Sequence, residues 1–204
     1  MTVSVFQPTT LDVEISSAGG GNGTSPTISV TNNMKALFFF DVSSIPSTDT
    51  CSSAVFRVWN SISGYADTIT AYAIKSGNSG WNESATDTTI NGTTAWAGSN
   101  WCNTPGTDYE SVAIGSATNA VGHFNPTDFN LDANVVRTWF GVTNSNYGFF
   151  LITSSTNSNI YYSRQETTNT SLRPRLTITH VENVFSNRRS FAPLGTRVGS
   201  RSDR

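Results

Sequence analysis

His123 and His180 are the only histidines in the sequence, so general acid–base chemistry near neutral pH rests on them or on carboxylates. Acyl transfer needs a serine held against a histidine, commonly on a G-x-S-x-G elbow. That motif is absent. His123 sits in a predicted loop beside Phe124 and Asn125-Pro126, His180 sits at a strand end, and no spacing brings either to a serine. Glycoside hydrolysis would draw a facing pair from Asp12, Glu14, Asp41, Glu83, Asp87, Asp108, Glu110, Asp128 and Asp132, and the pattern singles out no pair. The run Gly19-Gly20-Gly21-Asn22-Gly23 lacks the Gly-Lys-Ser/Thr that closes a phosphate loop. The chain is therefore expected not to be an enzyme.

Binding chemistry has better raw material. Trp81, Trp96 and Trp101 stand in a long stretch of Gly, Ser, Thr and Asn, residues 76–120. Loops of that length are usually functional. An indole face can stack on the C–H face of a sugar, which makes Trp96 and Trp101 candidate carbohydrate-binding residues; the other reading is that the tryptophans plug an open end of the fold. Cys51 and Cys102 are the only cysteines and lie in no C-x-x-C motif. They either close a loop of about fifty residues, worth roughly 3–4 kcal/mol, or remain reduced thiols.

The elements that must position these residues read as strands. Leu11, Val13 and Ile15 alternate with Asp12 and Glu14; Ile28 and Val30 resume the alternation; Ala36, Phe38, Phe40 and Val42 face one way and Leu37 and Phe39 the other, as in a central strand. Residues 54–59 and 69–75 alternate and are joined through Ser63-Gly64, and residues 147–152, 160–164 and 175–179 supply further strands. Val135, Val136, Trp139 and Phe140 fall at helical spacing, which predicts one short helix over residues 134–140, with Asp132 or Asn134 as its cap and Gly141 as its end. The fold class is all-β, an antiparallel β-sandwich with one short helix and an extended C-terminal arm. Its expected core is Phe38, Phe40, Phe56, Val58, Trp139, Phe149, Leu151, Leu176 and Ile178.

Trp139-Phe140-Gly141, NYGFFL at 146–151, YSRQE at 162–166 and RPRLTI at 173–178 resemble, in order and spacing, the DNRLRE domain family. FFFDVSSIP at 38–46, AVFRV at 54–58 and Trp81-Asn82-Glu83 are similar to its upstream motifs, and the resemblance spans roughly residues 10–180. It implies a jelly-roll sandwich similar to carbohydrate-binding modules, with Trp81 as a plug. Gln165 departs from the pattern, standing where an acid is expected. Modules of this type often carry a structural Ca2+. Asp12, Glu14 and Asp132 are the metal candidates here, no D-x-D-x-D-G loop supports them, and no cofactor is required.

At 204 residues the chain suits one large all-β domain, expected over residues 1–182. Charged residues make up 13%, which suits an exposed extracellular or virion surface. Sequons at Asn22, Asn82, Asn91 and Asn169 are no more than chance provides in so Asn- and Thr-rich a chain. The start lacks a signal-peptide pattern and no apolar run approaches the ~20 residues of a membrane span. Arrival at a surface by assembly is thus expected, with removal of an export signal as the other explanation.

Residues 183–204 hold five arginines against Asp203 alone, a net +4; seven basic and thirteen acidic residues elsewhere give −6, and the two make the total of −2. This arm is expected to dock on neighbouring copies or other virion subunits. Phe185, Phe191 and Leu194 would be its anchors and Arg188, Arg189 and Arg197 would pair with acids. Without an interleaved aromatic run and with so small a charge, a nucleic-acid partner is not expected. The leading expectation is a non-enzymatic structural or display protein of a virus particle, a phage first, such as a capsid decoration or fibre-type subunit forming homo-oligomers at the virion surface. A host glycan is a further partner. The alternative is a carbohydrate-binding module of a secreted or cell-surface protein.

Overall fold

The computed structural model describes residues 1–7, 11–62 and 64–183. In chain order the strands are β1 (Thr2–Phe6), β2 (Leu11–Ser16), β3 (Gly21–Asn22), β4 (Thr27–Val30), β5 (Met34–Phe39), β6 (Thr50–Trp59), β7 (Thr68–Ala73), β8 (Gly115–Thr118), β9 (Pro126–Leu131), β10 (Phe149–Ile152), β11 (Asn159–Tyr162) and β12 (Arg175–Val181). One α-helix, α1 (Ala133–Arg137), lies between β9 and β10. A four-stranded sheet runs β1-β12-β6-β9 and a six-stranded sheet β3-β2-β5-β10-β7-β8, with β11 paired to β4 beside them. Their pairings are antiparallel, and the chain passes directly between the two larger sheets at β1–β2, β5–β6, β6–β7, β8–β9 and β9–β10. Residues 54–59 and 69–75 therefore belong to opposite sheets, and the segment through Gly64 is a crossing and not a hairpin.

The inner faces meet on aromatic rings. Phe38 opposes Phe149 in one sheet and Phe56 opposes Phe129 in the other, and Phe56 lies 4.9 Å from both Phe38 and Phe149. Every residue of the expected core is buried. Trp139 closes one end, its indole parallel to Phe149 at 6.1 Å.

The helix is shorter than residues 134–140. Asp132 accepts the Asn134 N–H at 2.8 Å and starts it. Thr138 then donates its N–H to Val135 and Trp139 to Val136, three-residue bonds that tighten the last turn. Gly141, at φ +77°, turns the chain so that its N–H reaches Ile45.

A second apolar layer covers the far side of the six-stranded sheet. Leu37, Val13, Ile15 and Phe150 point outward from it and are buried by Trp81, Ala85, Ile90, Trp96, Cys102 and Tyr109 from residues 76–114. Those residues are almost all non-helical and non-strand, so the sheet is sandwiched between a regular layer and an irregular one. Trp139→Ala should open a cavity under the rings and lower stability by ~3–5 kcal/mol; an unchanged urea midpoint would show that the indole does not pack as described.

Candidate functional site

The three tryptophans belong to the covering layer. Trp81 is 3% exposed and its indole N–H donates to Tyr147 O at 2.8 Å; Trp96 is 5% exposed and donates to Thr86 O at 3.0 Å. Trp101 is half-buried and the Lys35 ammonium sits 4.2 Å over its ring. Trp81 and Trp96 are thus buried against the outer face of the six-stranded sheet and offer no open face to a sugar, whereas Trp101 carries Lys35 on its ring and stays partly exposed in a cleft with Thr31, Asn32 and Asn103. Lys35 comes from β5, where alternation turns it outward into this layer, and it donates to Trp101 O, Cys102 O and Asn103 Oδ1 at 3.0, 2.8 and 3.2 Å. Trp101 and Cys102 are both at positive φ, and the ammonium ties down their carbonyls. Burial lowers Lys35 to about 8, against the opposing fields of Cys102 and Asp108. Cys51 and Cys102 are free thiols. Cys51 lies on β6 and Cys102 in the outer layer, so the six-stranded sheet stands between them.

The proposed metal carboxylates are not gathered. Asp132 is occupied as the cap of α1, Glu14 accepts the Ser29 N–H at 2.6 Å, and Asp12 is fully buried. Among the described residues no group of three His, Cys, Asp or Glu side chains is arranged to hold a metal ion. Asp12 pairs with Phe38 in the β2–β5 ladder, so its side chain shares Phe38's inner face. It accepts the Arg164 N–H at 2.7 Å through Oδ2, while Oδ1 has no hydrogen-bond partner among the described residues. The Arg164 guanidinium is 4.0 Å away and is engaged by Glu83, which also accepts Gln165 Nε2 at 3.1 Å. Burial pushes the Asp12 carboxyl up to about 7; the Arg164 N–H and charge pull it down but do not prevail.

A serine does find a base. Ser4 Oγ lies 3.0 Å from His180 Nε2, and His180 Nδ1 lies 2.7 Å from Asp49 Oδ2. The order is that of an acyl-transfer triad. Its setting differs: His180 and Asp49 are 7% and 2% exposed, the ring packs edge-on to Phe140 at 6.2 Å, and the clefts lined by Lys75, Glu14, Arg57 or Lys35 do not reach Ser4. Acyl transfer also needs donors and room at a developing oxyanion. What the trio does in the fold is tie β1 to the loop before β6.

Two surfaces are open. The first is β1 itself, which among the described residues is hydrogen-bonded as a strand only to β12, with Val3 and Val5 60% and 59% exposed and Val181 of β12 37% exposed beside it. His180 pairs with Thr2, so the described chain leaves at Asn183 next to the start of β1. The arm residues Phe185, Arg188, Arg189, Phe191, Leu194 and Arg197 lie outside the described residues.

The second surface lies at the end of the sandwich where residues 60–67, 119–125 and 157–163 converge, knitted by three buried asparagines. Asn60 donates its side chain to Ala120 O and accepts the Phe124 N–H on its carbonyl at 2.9 Å. Asn119 donates to Tyr65 O at 3.0 Å and Asn159 Oδ1 at 2.8 Å and accepts the Tyr161 hydroxyl at 2.8 Å. Asn159 holds the Tyr65 N–H at 3.0 Å and donates to Asp67. On this frame Phe124 is 52% exposed at φ +65°, with His123 stacked on it at 3.6 Å and Tyr162 parallel to it at 6.1 Å. Sequence reasoning noted His123 and Phe124 only as loop residues. The Gly122–Pro126 turn around two rings was the available signal; Tyr162, forty residues on, was not tied to it.

No family model matches the chain, and no curated protein matches it.

Asp12 yields a signed pH test. Its folded pKa lies above the ordinary carboxyl value of 3.8, so its contribution is complete below about pH 4 and is lost as pH rises through about 7. Asp12→Asn should then stabilise the protein at pH 8 by up to about 4 kcal/mol and change little at pH 4. Chemical denaturation at the two pH values reads this directly; a variant less stable at pH 8 would mean that Asp12 is ionised and paired with Arg164.

Proposed function

We propose that this chain is a non-enzymatic structural or display subunit of a virus particle, a phage decoration or fibre-type protein, that assembles through β1 and its basic C-terminal arm. The observation that carries the reading is the β1 edge. An exposed edge strand is a template for pairing, and monomeric proteins blunt such edges with Lys, Pro, bulges or a covering loop. Thr2–Phe6 has none of these within it and turns Val3 and Val5 to solvent. Pairing of β1 with β1 of a second copy about a twofold axis would join two four-stranded sheets and cover those valines.

Charge supports the same reading. The arm carries +4 and the rest of the chain −6, so identical copies offer it an acidic surface. The sandwich itself is read as a jelly roll: with β1, β5, β6, β7, β8, β9, β10 and β12 as the eight strands, the orders 1-12-6-9 and 5-10-7-8 interleave as two Greek keys do. That architecture is common in capsid proteins and lectins, an analogy of fold and not of site. A virion-surface location follows from the proposal.

Sedimentation of the purified full chain should show a concentration-dependent oligomer. Val3→Lys with Val5→Lys, and separately removal of residues 183–204, should each give a folded monomer. A full chain that stays monomeric, or variants that assemble as the parent does, would remove the basis of this reading.

A further inference from the structure

The three rings at the asparagine-knit end fix their own arrangement. Separations of 3.6 Å for His123–Phe124, 6.1 Å for Phe124–Tyr162 and 6.5 Å for His123–Tyr162 make the angle at Phe124 about 80°. At 3.6 Å a stacked imidazole must lie nearly above the Phe124 centre, close to the ring normal. Tyr162, at about 80° from that direction and only 2° from parallel, must then lie beside Phe124 and not over it. The pair presents two parallel rings side by side. His123 backs one face of Phe124 and is bridged to the Tyr162 hydroxyl at 3.1 Å, so the 52% exposure of Phe124 belongs to the other face and the rim.

A ring in this position is unfavourable twice over. Its apolar face is open to water, and its φ of +65° is one that non-glycine residues seldom adopt. Backbone held in this way marks a place where the surroundings over-determine the conformation. Here the surroundings are the Asn60 carbonyl on the Phe124 N–H and the Gly122–Asn125 turn.

We propose that Phe124 and Tyr162 form a stacking platform for a neutral sugar residue of a glycan. Two parallel rings side by side offer aromatic surface that suits the C–H face of a pyranose, and the buried asparagines pre-order it so that little freedom is lost on binding. The charge around it selects the ligand. Residues 60–67, 119–125 and 157–163 contain Asp67 and no Lys or Arg. A nucleic acid also stacks on aromatics, but its phosphates need cations alongside. A sialylated or sulfated glycan needs them equally. The inference is independent of assembly through β1, since the platform lies at the other end of β6 from the chain's exit.

Affinity gel electrophoresis of the full chain through mixed-linkage β-glucan, xylan and galactomannan, with heparin as the anionic comparison, tests it. The parent should be retarded by at least one neutral polysaccharide. Phe124→Gly removes the ring and suits the positive φ, so affinity should fall about tenfold or more, 1.4 kcal/mol, while the melting temperature holds or rises. Tyr162→Phe should keep most of the binding and Tyr162→Ala should lose it. No retardation by any neutral polysaccharide would overturn the proposal. So would unchanged retardation of Phe124→Gly, or retardation by heparin alone that Phe124→Gly abolishes.

Discussion

The six-stranded sheet is apolar on both faces, and much of the molecule follows from covering it twice. Ala36, Phe38, Phe149 and Leu151 demand the four-stranded sheet on one side; Val13, Leu37 and Phe150 demand something on the other. Residues 76–114 meet the second demand without strands or an α-helix, so their backbone groups find few ladder partners and must be satisfied by side chains. Thr86, Asn91 and Asp108 each accept two or three of these N–H groups, and Asp108 is the buried one. It accepts the N–H groups of Gly98, Ser99 and Thr104 and the Asn78 amide at 2.8–3.2 Å. Burial alone would raise its pKa, but these four donors outweigh it and leave the carboxyl below its ordinary value. Lys35 plays the opposite part, giving protons to carbonyls. The irregular layer is thus pinned by one buried anion and one buried cation.

The far end of the sandwich solves the same problem with neutral groups. Asn60, Asn119 and Asn159 are almost wholly buried; Asn119 and Asn159 use both a donor and an acceptor, Asn60 donates and is left with its Oδ1 unmatched among the described residues, and the three side chains stitch three loops without an ion to desolvate. Each bond is worth about 1 kcal/mol net, but leaving any partner unmatched costs more than that. Such a network rigidifies by its own asymmetry. Rigid loops at the end of a rigid sheet are where an exposed ring can be held at an unfavourable φ.

The strands were legible because their pattern is local. Phe38 and Phe40 against Leu37 and Phe39, and Leu176 with Ile178, declare alternation whatever lies around them. Which face of β2 meets the main core was not legible. Leu11, Val13 and Ile15 look like the buried set, and Val13 and Ile15 are buried and Leu11 partly so, but against the irregular layer; Asp12 and Glu14 occupy the inner face because Arg164 and Ser29 wait there with N–H groups. Those partners are 152 and 15 residues away. The tryptophans misled for a related reason: a loop rich in Gly, Ser and Asn resembles an exposed one unless the sheet beneath it is known to be apolar on its outer face. Ser4, Asp49 and His180 meet only through the β1–β12–β6 ladder, and no spacing along the chain encodes that.

Along β6 the two open surfaces fall at opposite ends. Thr50, at its start, pairs with Val181, two residues before the described chain leaves at Asn183. Trp59, at its end, pairs with Pro126, and the next residue, Asn60, holds the Phe124 N–H. Ten residues of strand at ~3.3 Å each put about 30 Å between them. A subunit gripped by its neighbours at the first end would carry the second away from the lattice. The stiffness of the sheet between, which the doubly covered core supplies, would then set how far from the particle those rings stand.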